Sequence, residues 1–143
     1  MKRSRHHTAW AGALAVAAEL SRRGYDASIT LGNTPALDLL CSSPAGEPFK
    51  VQVKSLTAAN WALIRKDMLE PPVQKNLFFA VVLVPADDDR PFEYHLLTHA
   101  EVCALRKEQR TVRKDGQPYK PGGDGLSWGQ VKPHARGWNK LPE

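Results

Sequence analysis

The stretch "FKVQVKS", residues 49–55, alternates apolar with polar side chains, and its polar positions are Lys50, Gln52 and Lys54. Such alternation marks a strand with one face in the core. Upstream, the apolar run "ALDLLC" (36–41) carries a single acid, Asp38, which would cost free energy if buried without a partner. The "SSPAGEP" between the two runs has turn chemistry, so they are expected to form an antiparallel hairpin. Centring its loop on Ala45 sets Asp38 opposite Gln52 and Ala36 opposite Lys54. Leu37, Leu39 and Cys41 then share one face with Phe49, Val51 and Val53, and Ala36, Asp38, Leu40, Lys50, Gln52 and Lys54 occupy the other. Opposed side chains have Cβ atoms about 5 Å apart, so a carboxylate, an amide and an ammonium converge on one small site.

That set of groups suits phosphodiester hydrolysis. Mg²⁺ takes oxygen ligands in a tight octahedron and keeps several waters. The Asp38 carboxylate, the Gln52 side-chain oxygen and a strand carbonyl such as that of Val53 would hold it, or Mn²⁺, beside a phosphate. The ion would polarise the phosphoryl group and acidify a bound water. Lys54 would set a positive charge where negative charge builds up in the transition state.

The elements that must position these residues can be read from periodicity. From Thr8 to Arg23, Trp10, Ala13, Leu14, Ala17 and Leu20 recur at helical spacing, with Thr8 as a cap and Gly24 as a stop. Strands follow at "DASITL", "ALDLLC" and "FKVQVKS". "NWALIRKDMLE" (60–70) reads as a helix ended by Pro71 and Pro72. "NLFFAVVLV" (76–84) is continuously apolar, as a central strand covered on both faces should be. "FEYHLL" adds a strand, and Thr98 caps a short helix through "HAEVCALRKE". The fold class is α/β: a helix, a three-stranded antiparallel meander, a helix, and further strands in a mixed central sheet.

Asp38 followed by Gln52-Val53-Lys54 on the next strand, after an N-terminal helix, resembles the PD-(D/E)XK nuclease superfamily, within it a group of small bacterial endonuclease-like proteins. The resemblance covers residues 10–55. It implies a restriction-endonuclease-like core, Mg²⁺- or Mn²⁺-dependent DNA cleavage, and a homodimer. Two positions depart from the pattern. Gln52 stands where the superfamily has an acid, and Ala13 stands where many members carry a helix glutamate. Glu19 is the remaining acid of that helix and the candidate to replace it, though it can equally pair with Arg22 or Arg23. These departures define a rival reading, a catalytically impaired module of the same fold that binds DNA or a protein partner.

Bulk properties fit one domain over 143 residues: a basic arm (1–7), an αβ core (8–105) and a basic Gly/Pro-rich tail (106–143) packed on the core. Residues 1–105 balance 11 Lys+Arg against 11 Asp+Glu, whereas residues 106–143 hold 9 against 4, so the net charge of +5 comes from the tail. Arg110, Arg113, Lys114 and Lys120, with Lys50, are therefore the expected contacts to a DNA backbone. No run is long and apolar enough for a membrane span, and "MKRSRHH" precedes no signal-peptide core, so a cytoplasmic protein is expected. Cys41 and Cys103 suggest buried free thiols, His95 and His99 structural roles, and His6 and His7 a disordered arm with Lys2, Arg3 and Arg5. Trp61, Trp128 and Trp138 are expected in the core rather than stacked on bases.

Overall fold

The computed structural model describes residues 2–30, 37–109, 115–117 and 124–143. Its first element is helix α1 (Arg5–Arg22). Ser4, not Thr8, caps it, its hydroxyl accepting from the His7 N–H at 3.1 Å. Thr8 is buried one turn in, where its hydroxyl donates to the Ser4 carbonyl. The last three residues of the basic arm, Arg5, His6 and His7, are thus helix rather than disordered, and Arg3 reaches the carbonyls of Val84 and Pro85. At the other end Gly24, with φ +89°, donates to Ser21 O while Tyr25 donates to Leu20 O, a Schellman stop that only a left-handed residue permits. The buried stripe runs through Gly12, Ala13, Val16 and Leu20, and Leu14 is 53% exposed. Leu14 lies about 100° around the helix from Ala13, on its outer flank.

Strands β1 (Asp26–Ile29), β2 (Leu37–Ser42) and β3 (Pro48–Leu56) form the expected antiparallel meander. β3 then pairs in parallel with β5 (Leu77–Leu83), which pairs antiparallel with β6 (Glu93–Thr98). The result is a mixed five-stranded sheet in the order β1-β2-β3-β5-β6. All seven residues of β5 are buried, because the sheet has two cores. Phe78, Ala80 and Val82 join Leu39, Val51 and Val53 under α1, while Leu77, Phe79 and Val81 pack with Leu97, Ile64 and Val102 of helix α2 (His99–Glu108). The second core takes nothing from β1 or β2 and only Leu56, partly buried, from β3. Among the described residues, the second core therefore does not extend over the face of the β2–β3 hairpin opposite α1.

The helix expected over residues 60–70 is absent. That segment forms a short strand, β4 (Ala62–Leu63), and a 3-10 turn at Lys66–Met68. Ala62 and Ile64 are buried while Trp61, Leu63 and Arg65 are exposed, a period of two that outweighs the helix propensity of the residues around them. The partner of β4 comes from far along the chain: β7 (Gly125–Leu126), which leads into the short helix α3 (Trp128–Val131). Gly125 adopts φ +138°, and a Cβ there would sit 2.1 Å from the Ala62 carbonyl oxygen and 2.6 Å from Trp61 Nε1. His99 ties the same crossover to α2, Nδ1 accepting from the Gln74 N–H at 2.9 Å and Nε2 lying 2.9 Å from Met68 O. His95 Nδ1 bonds Val81 O at 3.0 Å. Both histidines are structural. Cys41 and Cys103 are buried free thiols, and burial pushes Cys41 up to about 12.

Tail and core are joined at Glu101. Thr98 and Glu101 form a reciprocal capping box on α2, and Lys140 Nζ lies 3.0 Å from the same carboxylate while donating to Leu96 O. No helix among the described residues is long and apolar enough to cross a membrane.

Two measurements test this account. Gly125→Ala forces a side chain into backbone and should cost about 1–3 kcal/mol in urea unfolding, so an unchanged midpoint would contradict the close approach. Burial works to raise the Glu101 pKa, but the Thr98 N–H, the Lys140 hydrogen bond and charge, and the His134 charge outweigh it and hold the carboxyl below its ordinary value. That stabilisation is complete above the unfolded carboxyl's value and is lost as pH falls through the lowered folded one. Glu101→Gln, which keeps the cap but not the charge, should be less stable at neutral pH, and the gap should close in acid. A gap independent of pH would remove the charge from the explanation.

Candidate functional site

β2 and β3 pair in the predicted register, with Asp38 opposite Gln52 and Leu40 opposite Lys50. On its other side β3 sets Gln52 beside Phe79 and Lys54 beside Val81. Leu37, Leu39, Cys41, Phe49, Val51 and Val53 all face the α1 core, so Asp38, Lys50, Gln52 and Lys54 share the opposite, uncovered face. Gln52 is only 8% exposed, held between an acid and a phenyl ring. Ala36, Arg110, Arg113, Lys114 and Lys120 lie outside the described residues.

The ion pair of Asp38 is made with Lys50, Nζ to Oδ2 at 3.1 Å. Lys50 is the diagonal neighbour of Asp38, two residues before Gln52, and both ends of the pair keep some solvent contact. Asp38 Oδ1 and Gln52 Oε1 are by contrast buried without a hydrogen-bond partner, as is Ser55 Oγ on the α1 side of β3. Ser55 owes its position to Gly12, where a Cβ would lie 1.9 Å from that hydroxyl. Burial holds the Lys54 ammonium below its ordinary lysine value, the Asp38 charge working against that shift and the Arg65 charge with it. Arg65 is exposed, and its guanidinium grips Asp67 in a fork, Nε to Oδ1 at 3.1 Å and Nη2 to Oδ2 at 2.5 Å.

Two opposed, unpartnered oxygens with free lone pairs are what a hard divalent cation seeks, and in this respect Asp38 and Gln52 fit Mg²⁺ or Mn²⁺. The donor set is thin in charge. No group of three His, Cys, Asp or Glu side chains that could hold a metal occurs among the described residues. Val53 sits between Leu37 and Ala80 in a strand paired on both sides, so its carbonyl is within the sheet rather than at a free edge.

Glu19 does not join the site. It lies on α1, across the sheet, with its carboxylate 3.7 Å from Arg22 and 3.4 Å from Arg23. There it lines a separate cleft of about 380 Å³ with Tyr94, Arg136 and Trp138. The helix meets the sheet through Ala13 and Val16, and rotation carries Glu19 off that line. Sequence reasoning had assigned Lys50 to DNA and overlooked Arg65 and Asp67. The diagonal rule for paired strands would have matched Lys50 with Asp38. Nothing in the sequence marks Arg65, because its placement depends on the β4–β7 pairing.

No family model, curated protein or solved structure matches the chain, so the functional reading rests on the geometry of these side chains.

Gln52 offers a direct test of whether the site trades stability for binding. Gln52→Met keeps an unbranched chain of similar length and deletes the unpartnered amide. The urea midpoint should hold or rise, by up to about 1–3 kcal/mol, the cost of an unsatisfied buried polar group. A fall of that size would mean that the amide makes a structural hydrogen bond instead.

Proposed function

We propose that this chain is a nuclease of the PD-(D/E)XK type with a restriction-endonuclease-like core, and that it hydrolyses DNA phosphodiester bonds at the face shared by Asp38, Gln52 and Lys54. One observation carries the reading: Asp38 Oδ1 and Gln52 Oε1 stand directly across a strand pair, buried and without hydrogen-bond partners. Most buried polar groups are satisfied, and although Ser55 Oγ on the α1 side is a third exception, Asp38 Oδ1 and Gln52 Oε1 are the two that belong to paired positions on one face, which supports an external ligand. The meander following an N-terminal helix, with β5 parallel to β3, is compatible with that core.

In this reading Asp38 and Gln52 would hold Mg²⁺ or Mn²⁺ with water completing the shell, because the Val53 carbonyl is within the paired sheet. When bound, the ion supplies polarisation of the phosphoryl oxygen and a water acidified toward neutral pH. The chain's own residues do the rest. Lys50 fixes Oδ2 of Asp38, leaving Oδ1 as the free acceptor beside Gln52. Lys54 carries its charge on the same face, only partly in solvent, where it counts for more against a phosphate than an exposed amine would. Arg65 adds a second cation within electrostatic reach of Lys54.

A second reading is favoured by the Lys50–Asp38 ion pair and by the amide at position 52. Lys50, Lys54 and Arg65 outnumber Asp38 and Asp67, so this neighbourhood attracts a phosphate more readily than a bare dication. On this view the chain binds DNA, or a protein partner, without cutting.

Cleavage of supercoiled DNA with Mg²⁺ or Mn²⁺ separates the two. The nuclease nicks the substrate, and Asp38→Ala and Lys54→Ala each lower the rate by about 10²-fold or more. Equal nicking by all three proteins would trace the activity to a contaminant and end the proposal. If the intact chain retains DNA in a salt-dependent way but never cuts, the binding module is the better description.

A further inference from the structure

Beside the site lies a line of side chains that the hydrolytic reading does not use. On the extended backbone of β4 and the residues flanking it, Trp61, Leu63 and Arg65 point outward while Ala62 and Ile64 fill the second core. Trp61 is 41% exposed and Leu63 59%, so part of a large ring and most of an isobutyl group stand in water, and neither belongs to the two apolar cores of the described residues. The ring is nonetheless held in place. Its Nε1–H donates to the Asp124 carbonyl at 3.0 Å, and the absent Cβ of Gly125 leaves the room for that approach. An exposed tryptophan fixed by its edge offers its face.

The line runs toward the phosphate-seeking cations. Same-face positions on extended backbone are spaced roughly 6–7 Å, so Trp61 to Arg65 covers about 13 Å. At about 3.4 Å of rise per nucleotide that is the length of a few residues of one strand. Arg65 closes the line, and its charge acts on both Asp38 and Lys54. Leu40, 53% exposed and opposite Lys50 on β2, is a further exposed apolar side chain of the described residues.

We propose that Trp61, Leu63 and Arg65 form a docking strip for an unpaired DNA strand, with Trp61 stacking a base and Arg65 steering the phosphate chain toward Lys54. A duplex presents phosphates outward and keeps its bases stacked on one another, so it can use Arg65 and Lys54 but offers nothing to the ring or to Leu63. An unpaired strand presents bases and phosphates side by side, matching an apolar ring next to a cation. The substrate class is then single-stranded, or a branched or frayed end with a single-stranded arm. This inference rests on the phosphodiester site proposed above.

The test is fluorescence anisotropy of the intact chain with a labelled oligothymidine strand and with a duplex of equal length, at low salt and without divalent metal. The unpaired strand should bind more tightly. Trp61→Ala should weaken it roughly tenfold or more, the loss of one stacked base, while leaving the duplex unchanged. Trp61→Phe, which keeps a stacking face, should recover much of the loss, and a circular dichroism melt shows whether each variant is folded. Lys54→Ala should weaken strand and duplex alike. If Lys54→Ala matters and Trp61→Ala does not, or if the duplex binds as well as the strand, the docking strip is wrong and the site survives. If neither DNA binds, or Lys54→Ala changes nothing, the site itself falls and takes the strip with it.

Discussion

The register of β2 against β3 is the constraint on which the molecule depends. Side chains alternate strictly along a strand, so slipping the pairing by one residue would exchange the two faces of the hairpin. Lys50, Gln52 and Lys54 would then meet α1, and Phe49, Val51 and Val53 would meet water. The apolar face opposes this strongly, because Leu39 and Val51 are fully buried under α1 and each large side chain contributes roughly 1.5–3 kcal/mol by being there. The polar face inherits its geometry from that preference. Asp38 meets Gln52 because Leu39 and Val51 must meet the helix.

The same division explains why the polar face stays open. β5 is buried on both sides, and its outer core is completed by α2, β4 and β7, which cover β5 and β6 and stop short of β2. Gln52 lies at this border, next to Phe79 on one side and Asp38 on the other. The amide oxygen in that position is neither solvated nor hydrogen-bonded. Covering the hairpin with more apolar structure would bury Lys50 and Lys54 at great cost, and leaving β5 bare would expose Phe79. The border is where apolar cover and polar chemistry can coexist, and the docking strip on β4 occupies its rim.

How much of this was legible in the sequence depends on the range of the interactions that decide it. The hairpin was legible because "SSPAGEP" fixes the loop and the flanking runs alternate, so local rules sufficed to set Asp38 against Gln52. β5 was legible from eight consecutive apolar residues, 77–84, and the start of α2 from Thr98 as its cap. The segment 60–70 was misread because Leu63, Lys66 and Met68 favour helix, and the competing strand exists only through Gly125 and Leu126, some sixty residues away. The same long-range pairing turned Trp61 outward and brought Arg65 to the site. Of the two roles the sequence allows Glu19, the structure shows the pairing with Arg22 and Arg23, because helix rotation carries it off the line by which α1 meets the sheet.

The contest over Asp38 is less exclusive than it first looks. A carboxylate has two oxygens, and Lys50 engages Oδ2 while Oδ1 stays buried and unpartnered. An ion pair with solvent contact at both ends is worth little as stability, up to about 1 kcal/mol. Its larger effect is orientation, because with Oδ2 turned toward Lys50 the other oxygen, Oδ1, is the buried one, on the residue paired with Gln52. A carboxylate left to itself would rotate into water, and the amide would lose its neighbour. Lys50 therefore does for Asp38 what Asp67 does for Arg65: an oppositely charged neighbour holds a functional group in one pose at the edge of solvent. Both pairs keep solvent contact and add little strength.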